Sequence, residues 1–307
     1  MPGKIAVTPR SLSGSANPAL AMLSDRGYEI VYPSPGKTPT EDELLRSVPG
    51  CVGWLAGVEP ITPRVLTAAR GLRVISRNGT GVDNIDLGVA QAQGIIVERA
   101  VGANARGVAE LAITLMLSVF RSVPWSSSHL QQGDWQRRIG IEAQGRTLAV
   151  IGCGAIGREV ADLALGLGMW VVGYDPLPSN SFARPGFRFA SLEEALTMAD
   201  AISFHCPPGE RPILGSDMLA RLKPGVVVVN TARAELIDDD AMLAALESGQ
   251  VAGLATDVFR KEPPELTPLL RHERVILTPH AGGFTEESVE RATRVAVDNL
   301  VRVLEAR

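Results

Sequence analysis

The sequence predicts an α/β protein built from two doubly wound parallel sheets. Three observations carry this expectation. The apolar runs are short and mostly unalternating, as strands buried on both faces are. Helical patterns separate them, as crossover connections between parallel strands require. A long helical segment then divides the runs into two successive arrays. The length agrees, because 307 residues is long for one compact domain and suits two.

The first array contains the strand-like runs Lys4–Thr8, Glu29–Tyr32, Cys51–Leu55, Arg73–Ser76 and Ile95–Val97, with helical patterns such as Pro18–Asp25 and Pro63–Ala69 between them. The connecting segment, Asn104 to Trp135, carries an apolar helix and then a polar stretch with Ser126, Ser127, Ser128 and the turn-like Gly133-Asp134. The second array contains Thr147–Ile151, Trp170–Tyr174, Arg188–Phe189, Ala201–His205, Gly225–Asn230, Gly253–Thr256 and Val275–Leu277. The closing segment, Glu286 to Arg307, repeats Val289, Ala292, Val295, Ala296, Leu300 and Val303 at helical spacing, the pattern of a helix with one buried face.

Composition excludes several classes. Hydrophobic residues make up 45% and charged residues 21%, so a packed core can extend through the whole chain. The formal net charge is −4, which leaves no basic excess to hold a polyanion, so no nucleic-acid partner is expected. The start lacks the apolar core of a signal peptide. The most apolar helical stretch, Val108 to Phe120, is too short to span a bilayer, so no membrane partner is expected and a cytoplasmic location is. Cys51, Cys153 and Cys206 form no CxxC pair and are odd in number, which argues against a disulfide framework and against a cysteine-based metal site. Each reads as a small buried hydrophobe.

The sharpest local signal is Gly152-Cys153-Gly154-Ala155-Ile156-Gly157, a G-x-G-x-x-G with a strand before it and a helical pattern after it. Gly152 permits the tight turn, Gly154 presents no side chain to an approaching pyrophosphate, and Gly157 lets helix and strand come close. The N–H groups of the first helical turn, at Ala155 and Ile156, then face the phosphates. The next strand runs into Asp175, 18 residues past Gly157. An acid there accepts hydrogen bonds from the adenine ribose hydroxyls and repels a 2′-phosphate, which favours NAD over NADP.

Three further segments fall at strand ends in the second array, where open α/β sheets hold their ligands. They are Asn230-Thr231-Ala232-Arg233, then Thr256-Asp257-Val258-Phe259 leading to Glu262-Pro263-Pro264, and Leu277-Thr278-Pro279-His280-Ala281-Gly282-Gly283. With Ser76-Arg77-Asn78-Gly79-Thr80-Gly81-Val82-Asp83-Asn84-Ile85-Asp86, Gly102-Ala103-Asn104 and Val108-Ala109-Glu110, these make the chain resemble the D-isomer-specific 2-hydroxyacid dehydrogenases nearly end to end. The motifs follow the family's order at near-family spacing, which a lone glycine fingerprint would not.

The resemblance implies an NAD-dependent oxidoreductase that interconverts a small anionic D-2-hydroxy acid and its 2-keto acid, with phosphoglycerate and hydroxypyruvate or glyoxylate as leading substrates. It assigns His280 as general acid/base, Glu262 as the carboxylate that orients the imidazole and favours its protonated form, and Arg233 as the grip on the substrate carboxylate. Cofactor contacts are expected from Gly152, Gly154, Ala155, Ile156, Gly157, Asp175, Cys206, Thr231, Ala232, Asp257, Gly282 and Gly283. Substrate contacts are expected from Asn78, Gly79, Thr80, Gly81 and Asn104, beside Arg233 and His280. His205 is expected to be structural or cofactor-adjacent. No metal is expected. Residues 1–99 with 284–307 would form a flavodoxin-like substrate domain, and residues 100–283 a Rossmann NAD-binding domain, with a cleft that closes on the substrate. The segment after Asn104 resembles the family's dimerisation arm, so a homodimer is implied. The related C-terminal-binding corepressors keep the same Arg, Glu and His, so an NAD-sensing scaffold with little turnover is the alternative.

The chain departs from the family pattern in places. Ala234-Glu235 stands where relatives usually have two glycines after the arginine, and the segment Pro208-Gly209-Glu210-Arg211-Pro212 is short. Ala56-Gly57 replaces the Arg-Ser pair usual in phosphoglycerate dehydrogenases, which argues against a phosphorylated substrate. Arg99 and Arg106 flank Asn104, and either could meet a second anionic group on the substrate. The chain ends at Arg307, so a serine-responsive C-terminal domain is not expected.

Overall fold

The computed structural model describes residues 3–12, 17–178 and 182–306. Met1, Pro2 and Arg307, at the ends of the two segments assigned above to the first domain, lie outside the described residues. The chain forms two compact units, residues 1–104 with 283–307, and residues 105–282. The sheets match the expected fold class: five parallel strands in one unit and seven in the other.

In the first unit the strands are β1 (Lys4–Val7), β2 (Glu29–Val31), β3 (Cys51–Ala56), β4 (Val74–Arg77) and β5 (Ile96–Arg99). They are ordered β2-β1-β3-β4-β5, all parallel. The helices are α1 (Pro18–Asp25), α2 (Glu41–Ser47), α3 (Pro63–Ala68) and α4 (Leu87–Ala92), joined by the last helix of the chain, Glu286–Glu305. Their starts are written locally. Asn17 and Thr62 cap helices that begin with proline, and Thr40 forms a reciprocal capping box with Glu43. Ile5, Val7 and Val74 pack on one sheet face against Leu20 and Leu23 of α1 and against Val297, Leu300 and Leu304 of the last helix. Trp54 and Ile75 pack on the other face with Leu44, Val65, Leu66 and Ala90.

One buried acid marks the strand ends of this unit. Glu59 is fully buried, accepts from the Thr8 hydroxyl and the Gly57 N–H, and has its carboxyl pushed up by burial. Its role is to tie the ends of β1 and β3 together.

In the second unit the strands are β6 (Thr147–Ile151), β7 (Trp170–Tyr174), β8 (Phe187–Phe189), β9 (Ala201–Phe204), β10 (Val226–Asn230), β11 (Val251–Thr256) and β12 (Val275–Leu277), ordered β12-β11-β10-β9-β6-β7-β8 and parallel throughout. Chain order reverses between β6 and β9, so the crevice at their carboxyl ends is the expected ligand position of such a sheet. The helices are α5 (Ala105–Phe120), α6 (Val123–Gln131), α7 (Ala155–Gly166), α8 (Leu192–Met198), α9 (Ser216–Leu219) and α10 (Asp239–Glu247). Helices α5 and α7 cover one face through Ala109, Leu115, Met116, Val160 and Ala164, and the other face is closed by Leu196, Leu219, Met242 and Leu246.

Two local features depart from the sequence expectation. The polar stretch Ser126–Ser128 is helical, in α6, which turns 62° from α5 at Ser122, whose φ is +50°. The first unit extends to residue 104 rather than 99, because Ala100 and Ala103 pack against Ala292 and the Ala103 carbonyl accepts from Arg291 Nε at 2.9 Å. No single helix among the described residues is long and apolar enough to cross a membrane.

Candidate active site

The glycine loop follows β6 directly. Gly152 has φ +96°, and a Cβ there would lie 2.6 Å from the His205 carbonyl carbon, so both conformation and space require glycine. A Cβ on Gly157 would lie 1.9 Å from the Gly152 oxygen, which explains the third glycine by close approach alone. Gly154, the N-cap of α7, faces open space and has no side chain to cap the helix. The first turn of α7, at Ala155 and Ile156, thus presents uncapped N–H groups beside a position cleared of side chains, which fits a pyrophosphate.

Asp175, just past β7, organises this loop. Its Oδ2 accepts from the Cys153 N–H at 2.9 Å and its Oδ1 from the Leu177 N–H at 2.9 Å. Each carboxylate oxygen has a second lone pair, so ribose hydroxyls can be accepted as well. The Thr231 hydroxyl after β10 is buried without a hydrogen-bond partner, an orphan of the kind a bound ligand satisfies. These features fit a dinucleotide.

The neighbouring thiols and imidazole carry no acid–base chemistry near neutral pH. Burial pushes the Cys153 thiol up to about 12 and the Cys206 thiol up to about 11. His205 is half-buried, its Nε2 lies 2.8 Å from the Ser203 hydroxyl, and burial of the ring drives its imidazole down to about 3. It is a neutral group whose backbone packs against Gly152.

The carboxyl ends of β10, β11 and β12 bring the three charged candidates together. Asn230 shapes the first turn: its Oδ1 accepts from the Ala232 N–H at 3.0 Å and its Nδ2 donates to the Arg233 carbonyl at 2.8 Å. Arg233 donates from Nη1 to the Ala232 carbonyl at 2.7 Å, which sets the guanidinium's direction. Ala234–Leu236 form a single 3-10 turn with Glu235 exposed, so the added charge points to solvent.

His280 Nδ1 lies 2.9 Å from both carboxylate oxygens of Glu262, across 18 residues of chain. Glu262 Oε1 also accepts from the Phe259 N–H at 3.3 Å. The His280 imidazole is raised above its ordinary value by the Glu262 hydrogen bond. Burial works against this, the charges of Glu262 and Asp257 add to it, and Arg233 opposes it. For the Glu262 carboxyl, burial pushes up, but the hydrogen bond and charge of His280 outweigh it, helped by the Phe259 N–H and Arg233, and the result lies below the usual range. The two shifts agree: an imidazolium–carboxylate pair is favoured in this geometry.

The least legible part of the site is what holds the His280 loop. Asp257 is buried and accepts three hydrogen bonds, from Thr278 Oγ1 at 2.6 Å, the Ala281 N–H at 2.7 Å and the Gly282 N–H at 2.8 Å. These bonds bracket His280 and fix it at φ +50°, a conformation that His adopts more readily than most residues. The resemblance implies a cofactor contact for Asp257, and in the structure its carboxylate also clamps the loop that carries His280. Thr278, its partner, carries no sequence signal of a role.

The substrate-loop candidates and Asn104 belong to the first unit. The Asn78 N–H donates to the Ala56 carbonyl at 2.9 Å, and the Gly79 N–H to the Arg77 carbonyl at 2.9 Å. Gly79 has φ +154°, and the Thr80 hydroxyl donates to Asn104 Oδ1 at 3.3 Å. Gly81 follows on the same loop. Gly283, expected at the cofactor, falls in this unit, where a Cβ on it would lie 2.8 Å from Asn104 Nδ2. Of the two flanking arginines, Arg106 is engaged with Glu110 at 2.6 Å and Glu159 at 3.3 Å, both in the second unit, which makes it an ion-pair residue rather than a ready anion site. Arg99 is exposed on the first.

Comparison with known proteins agrees with this geometry. Residues 113–282 match the family model described as D-isomer specific 2-hydroxyacid dehydrogenase, NAD binding domain. The chain is 37% identical over 287 residues to the D-3-phosphoglycerate dehydrogenase of Homo sapiens, covering 91% of this chain and 53% of that protein. It therefore spans about half the length of the curated relatives it matches. Among solved structures it is similar to the TT0316 protein of Thermus thermophilus, with a TM-score of 0.89 at 36% identity, covering 99% of this chain and 97% of that one. A glyoxylate reductase from Paecilomyes thermophila gives a TM-score of 0.87 at 28% identity, covering 98% and 95%.

Proposed function

The chain belongs to the D-isomer specific 2-hydroxyacid dehydrogenase family, and from this premise we propose that it interconverts a small 2-keto acid and its D-2-hydroxy acid by NAD-dependent hydride transfer. The observation that carries the proposal is the contact of His280 Nδ1 with both oxygens of Glu262, at 2.9 Å each. It leaves Nε2 as the ring nitrogen available to a substrate.

In this reading the Gly152–Gly157 loop, Asp175, Cys206, Thr231, Ala232, Asp257 and Gly282 hold NAD, with Gly283 of the first unit as a further candidate. The reduced cofactor supplies the hydride when bound. Arg233 grips the substrate carboxylate and polarises the C2 carbonyl. His280 Nε2 gives its proton to the C2 oxygen as C2 accepts the hydride, and takes a proton from the C2 hydroxyl in the reverse direction. Glu262 keeps the imidazole oriented and charged before that transfer. Asn78–Gly81 and Asn104 are proposed to hold the substrate's carboxylate end. Because the Asn78 and Gly79 N–H groups are committed within their own loop, that role falls to the N–H groups of Thr80 and Gly81.

The test is turnover. The purified protein, NADH and a panel of 2-keto acids that includes glyoxylate, hydroxypyruvate and phosphohydroxypyruvate are combined, and loss of reduced-cofactor absorbance is followed. Steady turnover of at least one acid is expected. Tight NADH binding with no turnover across the panel would instead indicate a cofactor-sensing scaffold.

The pair also predicts a pH effect. Reduction needs the imidazolium, so its rate falls as pH rises through the raised pKa of His280. Glu262→Gln removes the charge that raises it, so the alkaline limb of keto-acid reduction moves to lower pH. In the oxidation direction the neutral ring is needed, and the acid limb moves to lower pH as well. An unmoved limb in either direction would separate Glu262 from the proton transfer.

Asp175 governs cofactor choice. With Asp175→Ala the kcat/KM ratio for NADPH over NADH should rise about tenfold or more, since one carboxylate's repulsion of the 2′-phosphate is lost. Efficiency with NADH should fall too, because the Cys153 and Leu177 N–H groups lose their acceptor. A ratio that stays constant would remove Asp175 from the ribose site.

We further propose that the chain self-associates through α6 and the segment after it. Val123, Leu130, Trp135 and Ile139 are exposed there, Ile139 completely. The segment is anchored rather than loose, since Arg138 pairs with Glu273 at 2.8 Å and stacks 3.8 Å from the Trp125 ring. An ordered apolar surface of this kind marks an interface. Sedimentation should show a homodimer, and a Trp135→Ser, Ile139→Ser double variant should sediment as a monomer. A dimer that survives both changes would place the interface elsewhere.

A further inference from the structure

A cavity beside the Arg233 and Glu262 loops lies wholly within the second unit. Its volume is about 290 Å3, and its walls include Ile237, Leu254, Val258, Phe259, Leu269 and Leu270. None of the residues assigned above to cofactor or substrate lines it.

The chemistry of the lining specifies its occupant. The polar side chains at the floor are already satisfied. Asn230 is spent on the Ala232 N–H and the Arg233 carbonyl, and the Thr256 hydroxyl donates to the Val258 carbonyl at 3.0 Å. The charges at the rim are paired with one another. Arg260 bonds the Ile237 carbonyl at 3.0 Å and Asp239 at 3.4 Å, and Lys261 bonds Glu265 at 3.2 Å. A charged ligand would have to compete with these pairs and would lose its own hydration. An apolar ligand would displace water from the half-buried Phe259 and Leu270 and rest against Leu254, Leu269 and Ile237. A dry cavity of about 150 Å3 already accepts a benzene ring, so this one has room for two fused rings.

The cavity is connected to the charged pair. Phe259, in its wall, donates the N–H that Glu262 Oε1 accepts. Pro264 and Glu265, on the other side of Glu262, also line it, and Ala234, next to Arg233, closes a further side.

We propose that this cavity is a binding site for a small uncharged apolar molecule of one or two rings, and that its occupancy holds the Phe259–Glu265 loop in the position where Glu262 meets His280. The coupling rests on the proposed catalytic reading; the binding does not. A ligand can only favour the conformation it binds better. The Phe259–Glu265 loop supplies both the cavity wall and the Glu262 carboxylate, so a movement that parts Glu262 from His280 would also take wall contacts from the ligand, and occupancy favours the pair.

The experiment uses indole as the probe on the full chain. Saturable one-to-one binding is expected, with shifts at the methyl signals of Leu254, Leu269 and Leu270 in an isotope-labelled sample. Leu270→Trp, which fills the half-buried rim from within, should weaken indole binding about tenfold or more while the NADH affinity stays unchanged. If that variant fails to melt cooperatively, Leu270→Phe makes the same test with a smaller expected loss. Bound indole should also move the titration of the His280 ring signal to higher pH, and leave it in place in the filled variant. Absence of saturable binding, or binding that both filled variants leave intact, would overturn the site. Binding at the right methyls with an unmoved His280 titration would overturn the coupling. Failure of every keto acid to turn over would count against the catalytic reading and leave these binding results standing.

Discussion

Replacing His280 with Asn should lower kcat for keto-acid reduction by about 10²–10⁴-fold, the range for a positioned general acid. Asn is the informative substitution because residue 280 sits at φ +50°. Asn tolerates that region about as well as His, whereas Ala would add backbone strain to the loss of the ring. The Asp257 bonds to Thr278, Ala281 and Gly282 do not involve the 280 side chain, so the loop keeps its anchor. NADH affinity should therefore stay within a few-fold, measured by fluorescence titration. A variant that keeps more than about a tenth of the wild-type kcat would show that the proton comes from elsewhere.

Arg233→Ala should cost about 10²–10³-fold in kcat/KM, the worth of two charge-assisted hydrogen bonds to a carboxylate. The loss should appear in kcat as well as KM, because polarisation of the carbonyl grows as charge develops on the C2 oxygen. Arg233→Lys keeps the charge but not the planar fork, and should recover only part of the loss. A second signature accompanies the first. The Arg233 charge opposes protonation of His280, so its removal should carry the alkaline limb of reduction to higher pH, opposite to the effect of Glu262→Gln. A lysine variant with full activity would reduce the role of Arg233 to a point charge. An alanine variant affected in KM alone would make it a ground-state binding group only.

The sheets were legible because parallel strands advertise themselves. Val226–Val229 is four consecutive valines, all buried, and such a run fits a strand covered on both faces. The glycine loop was legible because Gly152 and Gly157 answer contacts that no other residue could make, most plainly Gly157 against the Gly152 oxygen, while Gly154 leaves its space clear. Arg233, Glu262 and His280 could be named from the resemblance and from their strand ends. Their mutual geometry could not, because 18 residues and several prolines separate Glu262 from His280 and no periodicity links them. Asp257 illustrates the rest. Its three bonds reach 21 to 25 residues along the chain, so its work as a clamp depends on how two loops meet rather than on any local pattern. Glu59 is similar: nothing around it signals a fully buried carboxyl, and its environment is assembled from Thr8 and Gly57 by the pairing of β1 with β3. The bend at Ser122 escaped for a different reason. A left-handed serine has no composition cue, whereas a glycine there would have had one.

The account turns on Glu262 holding a proton on the His280 ring, and nuclear magnetic resonance titration of that ring measures this directly. The chain has only four histidines, so the His280 signal is identified by its disappearance in His280→Asn. The account predicts a ring that titrates above the ordinary value of about 6.5 in the native protein and drops toward it in Glu262→Gln. A His280 ring that titrates at or below the ordinary value, and is indifferent to the change at residue 262, would contradict it.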